Sequence, residues 1–233
     1  MSETISPLTN EIDYESAMSW QSALSFFLAA ILGATLALII LPRWLPLLFS
    51  DIITQKAYWH LARSSGIVAY LLLWLSTGLG VLLSNRMARI WPGSLIAFDI
   101  HQFTSLLAIA FTSFHVLILL GDDYIGYTIP QLLIPFATTE YKPIATGLGQ
   151  IAFYLTIAII ASFYLRQRLG SRAWRTIHYA SFLVYLLITL HGIIAGSDTP
   201  SLWLFYLFSV SSIMFLTIYR ILITHTHTTR RAR

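Results

Sequence analysis

The chain has 233 residues, 57% of them hydrophobic and only 10% charged, with a formal net charge of +4. A soluble domain carries roughly a quarter charged residues, and here the deficit runs the length of the chain, so a polytopic membrane protein is the class that fits. The basic residues stand at segment ends and in the tail rather than on one face of a folded domain. Membrane topology explains that distribution, and no nucleic acid is expected as a partner.

Residues 1–20 form a polar, acidic segment (Glu3, Glu11, Asp13, Glu15) that is expected to be disordered or interfacial. It lacks the basic start of a signal peptide, so the first apolar segment is expected to stay uncleaved. Six spans follow, at about 22–41, 62–84, 96–120, 148–166, 174–195 and 202–223, each near the ~20 residues that cross a hydrocarbon core. They predict an all-α integral membrane domain over 21–224, a six-helix bundle in contact with lipid, followed by a basic tail at 225–233. Residues 45–54 are apolar, too short to span and interrupted by Asp51, and are expected to lie along the membrane surface. The stretch 122–147, with Pro130, Pro135 and Pro143, reads as the longest ordered loop, with a surface helix around 129–136.

Six spans put the N-terminus, the 85–95 loop, the 166–175 loop and the tail on one face. Of the 14 lysines and arginines, that face holds Arg86, Arg89, Arg166, Arg168, Arg172, Arg175, Arg220, Arg230, Arg231 and Arg233, against Arg43, Lys56, Arg63 and Lys142 on the other. The positive-inside rule makes the richer face cytoplasmic, with the chain in the cell (inner) membrane and its C-terminus inside. The acidic N-terminal segment followed by Arg43 pulls the other way and is outweighed by the agreement of the five later spans.

Four histidines fall within two spans: His101 and His115 on the third, His178 and His191 on the fifth. Ionisable residues at membrane depth are costly and mark functional sites. Both spans run outward, so His101 and His178 share an inner depth while His115 and His191 share an outer one, about 20 Å away at 1.5 Å per residue. Core histidines hydrogen-bonded to neighbouring helices are the bland alternative, which gives no reason for pairing by depth. Zinc or copper fits poorly, because pairs so far apart cannot share an ion and no carboxylate or thiol stands beside them. Imidazole commonly ligates haem iron, and two bis-histidine haems use all four ligands. The chain has no cysteine, which excludes disulfides, iron–sulfur clusters and thioether attachment, so a haem held here is non-covalent, hence b-type. Nothing resembles a nucleotide fingerprint, and FAD or FMN is expected only on a separate partner.

The 14 residues from His101 to His115 make about 3.9 turns, which keeps both on one helix face, whereas the 13 from His178 to His191 make about 3.6 turns and part them by more than a third of a turn. The fifth span is therefore expected either to carry a π-type irregularity or to meet its two haems from different sides. Haem propionates need basic or hydrogen-bonding partners. Arg63, in Leu61-Ala62-Arg63-Ser64-Ser65-Gly66, is expected to clamp the outer pair of propionates, assisted by Ser64 and Ser65, unless it is only a positive stop at a helix end. His60 lies one turn earlier and is more simply incidental. Arg172 and Arg175 precede His178 by six and three residues and are candidates for the inner propionates, although topology already accounts for basic residues there. Asp99 is a candidate for proton handling near His101, with a helix N-cap as its structural alternative. Phe111, Phe182 and Tyr185 lie between the two levels and read as packing, and His225 and His227 as a solvated end.

This constellation resembles the ferric reductase-like transmembrane domain, shared by NADPH oxidases, ferric-chelate reductases and the haem-b subunit of the bacterial periplasmic methionine sulfoxide reductase system. The resemblance covers about residues 55–200 and rests on His101-x13-His115 and His178-x12-His191, on the third and fifth of six spans, the arrangement typical of the NADPH oxidase branch. The Arg63 segment looks like that family's basic residue near the outer haem, and Ala173-Trp174-Arg175-Thr176-Ile177-His178 looks like its basic-aromatic approach to the inner ligand. The 13-residue spacing is familiar in the family. Members that work alone continue into FAD and NADPH domains, whereas this chain stops at Arg233. The resemblance then implies a stand-alone haem subunit, fed by a soluble flavin reductase or by quinol, with the sulfoxide-reductase subunit as its best functional parallel. Its acceptor on the outer, periplasmic or extracellular side is expected to be a ferric chelate, oxygen or a redox protein. The competing classes are a quinol-coupled di-haem cytochrome b anchor of another oxidoreductase and a haem-free transporter or scaffold.

Overall fold

A computed structural model describes residues 18–48, 51–84, 93–139 and 141–231, with side chains over 18–47, 56–84, 93–139 and 141–223. The expectations for residues 1–17, for Arg86 and Arg89, and for the side chains of His225, His227 and Arg230 to Arg233 lie outside that set. Among the described residues all regular structure is helical: α1 (Trp20–Leu48), α2 (Asp51–Ser84), α3 (Ser94–Ile118), α4 (Ile129–Leu133), α5 (Pro143–Tyr164), α6 (Arg166–Leu169), α7 (Ser171–Ala195) and α8 (Thr199–Arg231). Six of these, α1, α2, α3, α5, α7 and α8, are long and apolar enough to cross a bilayer, which makes this a multi-pass membrane protein. In hydrocarbon a backbone must satisfy its own polar groups, and an unbroken helix does so. The hydroxyls that these helices carry follow the same rule. Thr77, Thr104, Thr112, Ser113 and Thr189 each donate to the carbonyl four residues back.

The stretch 45–54 is not a separate element among the described residues. Residues 45–48 continue α1, while 51–54 open α2. At 29 residues α1 runs to about 44 Å, past a core of roughly 30 Å, so its end reaches the interface without leaving the helix. Pro42 and Pro46 lie inside it. Pro42 has no N–H for the Leu38 carbonyl, and the Tyr58 hydroxyl of α2 reaches that oxygen at 3.5 Å. The backbone of α8 likewise stays helical to Arg231, through most of the expected tail.

Helix α1 lies along α3, with Gln102 Oε1 accepting from the Met18 N–H at 3.1 Å and Phe26 set edge-on to Phe103. The closest packing is of α2 with α3 and of α5 with α7, and α8 covers α2. Helices α3 and α7, which carry the four histidines, do not pack closely on each other. A gap is left between them.

The loop between α3 and α5 is tied down at one end of this gap. A short helix does appear in it, as α4, over fewer residues than the expected 129–136. Gln150 on α5 is buried, donates to the Gln131 and Leu132 carbonyls at 2.7 and 2.9 Å, and accepts from the Phe136 N–H at 3.3 Å. The end of α7 is fastened too. Lys142 Nζ donates to the Ile194 and Ala195 carbonyls at 2.8 and 3.3 Å, and the Tyr141 hydroxyl donates to Ala195 O at 2.8 Å. A cation on the orphan carbonyls of a helix C-terminus is favoured by both hydrogen bonding and the helix dipole. These bonds hold the start of α5 against the end of α7.

Candidate functional site

The four histidines meet in two pairs across the gap. His101 and His178 have ring centres 6.2 Å apart and planes at 77°; His115 and His191 are 6.4 Å apart at 80°. An imidazole nitrogen lies about 2.0–2.1 Å from a metal it binds and about 1.1 Å from its own ring centre, so two rings on opposite sides of one metal sit about 6.2–6.4 Å apart. Both pairs have that spacing. Among the described residues no three His, Cys, Asp or Glu side chains converge, so a bare ion at either level would find two protein ligands. A planar macrocycle that brings its own equatorial donors, as haem does, suits the gap and the donor set.

Three of the rings are seated on backbone in the same way. His101 Nδ1 donates to Ser76 O at 2.8 Å, His115 Nδ1 to Ala62 O at 2.6 Å, and His191 Nδ1 to Ala145 O at 2.8 Å. A carbonyl can only accept, so the proton is on Nδ1 and the Nε2 lone pair is left for a metal. Four residues after each accepting carbonyl stands a glycine: Gly80, Gly66 and Gly149. A Cβ there would lie 3.3 Å from His101 Cε1, 3.1 Å from His115 Nδ1 and 2.7 Å from His191 Nδ1. The missing side chain is what lets the ring lie against the helix.

His178 is different. Its Nδ1 is buried and has no hydrogen-bond partner, and its ring lies 5.5 Å from that of Trp174, tilted 35°. Trp174 Nε1 and the Tyr164 hydroxyl are buried without partners as well. Helix α7 is a regular α-helix from Ser171 to Ala195. The π-type irregularity is therefore not used, and the two rings leave α7 on different sides.

A cavity surrounds the His115 and His191 pair, walled by α2, α3, α5, α7 and α8 and covered by Ile125 and Tyr127 of the loop and Leu132 of α4. Tyr127 is buried, which raises its phenol above the usual value and keeps it a neutral donor. Arg63 lines this cavity, as the sequence suggests, but its charge is already paired with Asp198 at the turn before α8, and it lies over the Trp59 ring at 4.4 Å. Ser64 is exposed and donates to the His60 carbonyl at 2.9 Å, while the buried Ser65 donates to Leu61 O. Neither serine lines the cavity.

At the other end Arg172 and Arg175 are exposed at the start of α7, and Arg175 reaches the Ser171 hydroxyl at 3.5 Å. Asp99 is exposed in the second turn of α3, where Gly93 holds the cap position, so the N-cap alternative is not what this residue does. Exposed His60 packs edge-on to Trp59. Phe111 and Phe182 are half-buried, and Tyr185 is buried with Ser209, Tyr70 and Thr189 in a hydroxyl cluster shared by α2, α7 and α8.

The glycine seats and Asp198 escape a reading of the sequence. One signal for the seats was present: Gly66 and Gly80 are 14 residues apart, the same interval as His101 and His115 on the antiparallel neighbour. No protein-family model, curated protein or solved structure matches the chain.

Proposed function

We propose that this protein is a transmembrane b-type cytochrome, a membrane haem-b oxidoreductase. It would move electrons from a cytoplasmic flavoprotein or quinol to an acceptor on the outer face, such as a ferric chelate, oxygen or a redox protein. The observation that carries this reading is the spacing of the imidazole pairs, 6.2 and 6.4 Å between ring centres, which is that of two ligands on one metal. His101 with His178 would hold one haem, and His115 with His191 the other. Haem iron, when bound, supplies a one-electron couple.

The chain's own residues do the rest. The backbone seats on Ser76, Ala62 and Ala145 hold three rings in one tautomer, with Nε2 toward the gap. A haem held by one histidine from α3 and one from α7 would have no open position at the metal, so outer-sphere electron transfer would be favoured over binding of oxygen there. Arg172 and Arg175 at the His101/His178 end are exposed cations that would serve haem carboxylates, whereas Arg63 at the other level would have to share Asp198 to do so. Arg166, Arg168, Arg172, Arg175 and Arg220 gather at the His101 end, against Arg43, Lys56, Arg63 and Lys142 at the other, which supports a cytoplasmic His101 end.

A dithionite-reduced minus oxidised spectrum of the purified protein, with pyridine haemochrome quantitation, is expected to give two b-type haems per chain. His115→Ala is expected to leave about one. A colourless protein, or an unchanged haem content in the variant, overturns the reading.

A further inference from the structure

We infer that the two levels hold haem at unequal reduction potentials, with the His101/His178 level the higher, because His178 alone lacks a backbone acceptor for its Nδ1. This rests on the haem reading proposed above and deepens it. A ring that donates from Nδ1 to a carbonyl becomes a stronger donor through Nε2, which favours the oxidised metal and lowers the potential.

At the His115/His191 level both rings are seated, on Ala62 O at 2.6 Å and Ala145 O at 2.8 Å. At the other level only His101 is, on Ser76 O at 2.8 Å. The His178 Nδ1 is buried and unpartnered. The neighbour lying against its ring, Trp174, has only an N–H to offer and cannot accept. The sequence register accounts for the missing seat. Ser162 stands on α5 thirteen residues beyond Gly149, the same interval that separates His191 from His178, so a buried side chain occupies the position where a glycine would open room. Its hydroxyl is turned to Ile159 O at 2.7 Å.

Charge acts in the same direction. Arg172 and Arg175 are exposed at the end that carries His178, whereas Arg63 beside the other pair is neutralised by Asp198. Positive charge without an ion-pair partner among the described residues favours the reduced metal.

Potentiometric titration of the purified holoprotein, followed by visible absorbance, tests this. Two midpoints are expected, and His178→Ala should remove the higher one; removal of the lower one overturns the inference. Where loss of a ligand releases both haems, Gly149→Ala carries the assignment. Its Cβ forces His191 off the Ala145 carbonyl and is expected to raise the lower midpoint while leaving the higher in place. A shift confined to the higher midpoint, or two coincident midpoints in the unaltered protein, also overturns it. Absence of haem sinks the underlying reading instead, so the two failures are told apart.

Discussion

The two ends of the gap between α3 and α7 are built from the same ligand pair and supported very differently. Around His115 and His191 the chain supplies two carbonyl–glycine seats, a roof held by Gln150 and a helix end fastened by Lys142. Around His101 and His178 it supplies one seat, a tryptophan and three buried polar atoms without partners. The first level is the more heavily hydrogen-bonded, its own buried unpartnered atoms (Asp122 Oδ2 and Thr138 Oγ1) lying in the α3–α5 loop outside the cavity lining; the second has unpartnered atoms on a ligand ring and beside it. Buried polar groups normally find a partner, so the second level is where an incoming group has something to gain. The difference fits a molecule whose ends face different partners.

The largest effect that would sharpen this contrast is on the roof. Gln150→Ala removes three hydrogen bonds between α5 and the α4 segment, at about 1 kcal/mol each and more for a group left buried and unpaired. A loss of about 2–4 kcal/mol is expected, seen as a lower unfolding midpoint in detergent. A haem held by His115 and His191, as proposed, should become reactive to external reductants while one held by His101 and His178 does not. Equal exposure of both haems would break the comparison.

A smaller effect is expected where α7 ends. Lys142→Met keeps the side chain's length and removes the donor to Ile194 and Ala195, which costs about 0.5–1.5 kcal/mol as a hydrogen bond to a helix C-terminus. His191 lies four residues before the end of that helix, one turn from the carbonyls that Lys142 meets. Haem dissociation is therefore expected to quicken at its level and to stay unchanged at the His101 level, as measured by transfer of haem to apomyoglobin.

The pairing of the histidines was legible in the sequence because it depends only on helical rise and the alternation of spans, which a bilayer enforces. The seats were not. Which carbonyl accepts from His191 depends on how α5 lies against α7, and that follows from Lys142 and Tyr141 reaching across from a loop. Asp198 was missed for a similar reason, since it stands 135 residues from Arg63 and nothing local announces the ion pair. The segment 45–54 reads as one element because it is apolar and too short to span; its two ends instead belong to different helices, 45–48 to α1 and 51–54 to α2.

The ion pair makes the finest test of the contrast. Arg63 and Asp198 are 26% and 31% exposed, so solvent screens their attraction and the pair should contribute no more than about 0–1 kcal/mol to stability. Asp198→Asn is accordingly expected to shift the unfolding midpoint little, and less still at high salt. What it should change is the charge at the cavity, because Arg63 then loses the carboxylate it pairs with among the described residues. If Arg63 serves a haem carboxylate at this level, Asp198→Asn is expected to tighten haem retention and raise the midpoint of the His115/His191 haem, and Arg63→Gln to do the reverse. Both variants leave the seats of His115 and His191 untouched, so a change at the His101 level in either one would mean that the two ends are not electrostatically separate.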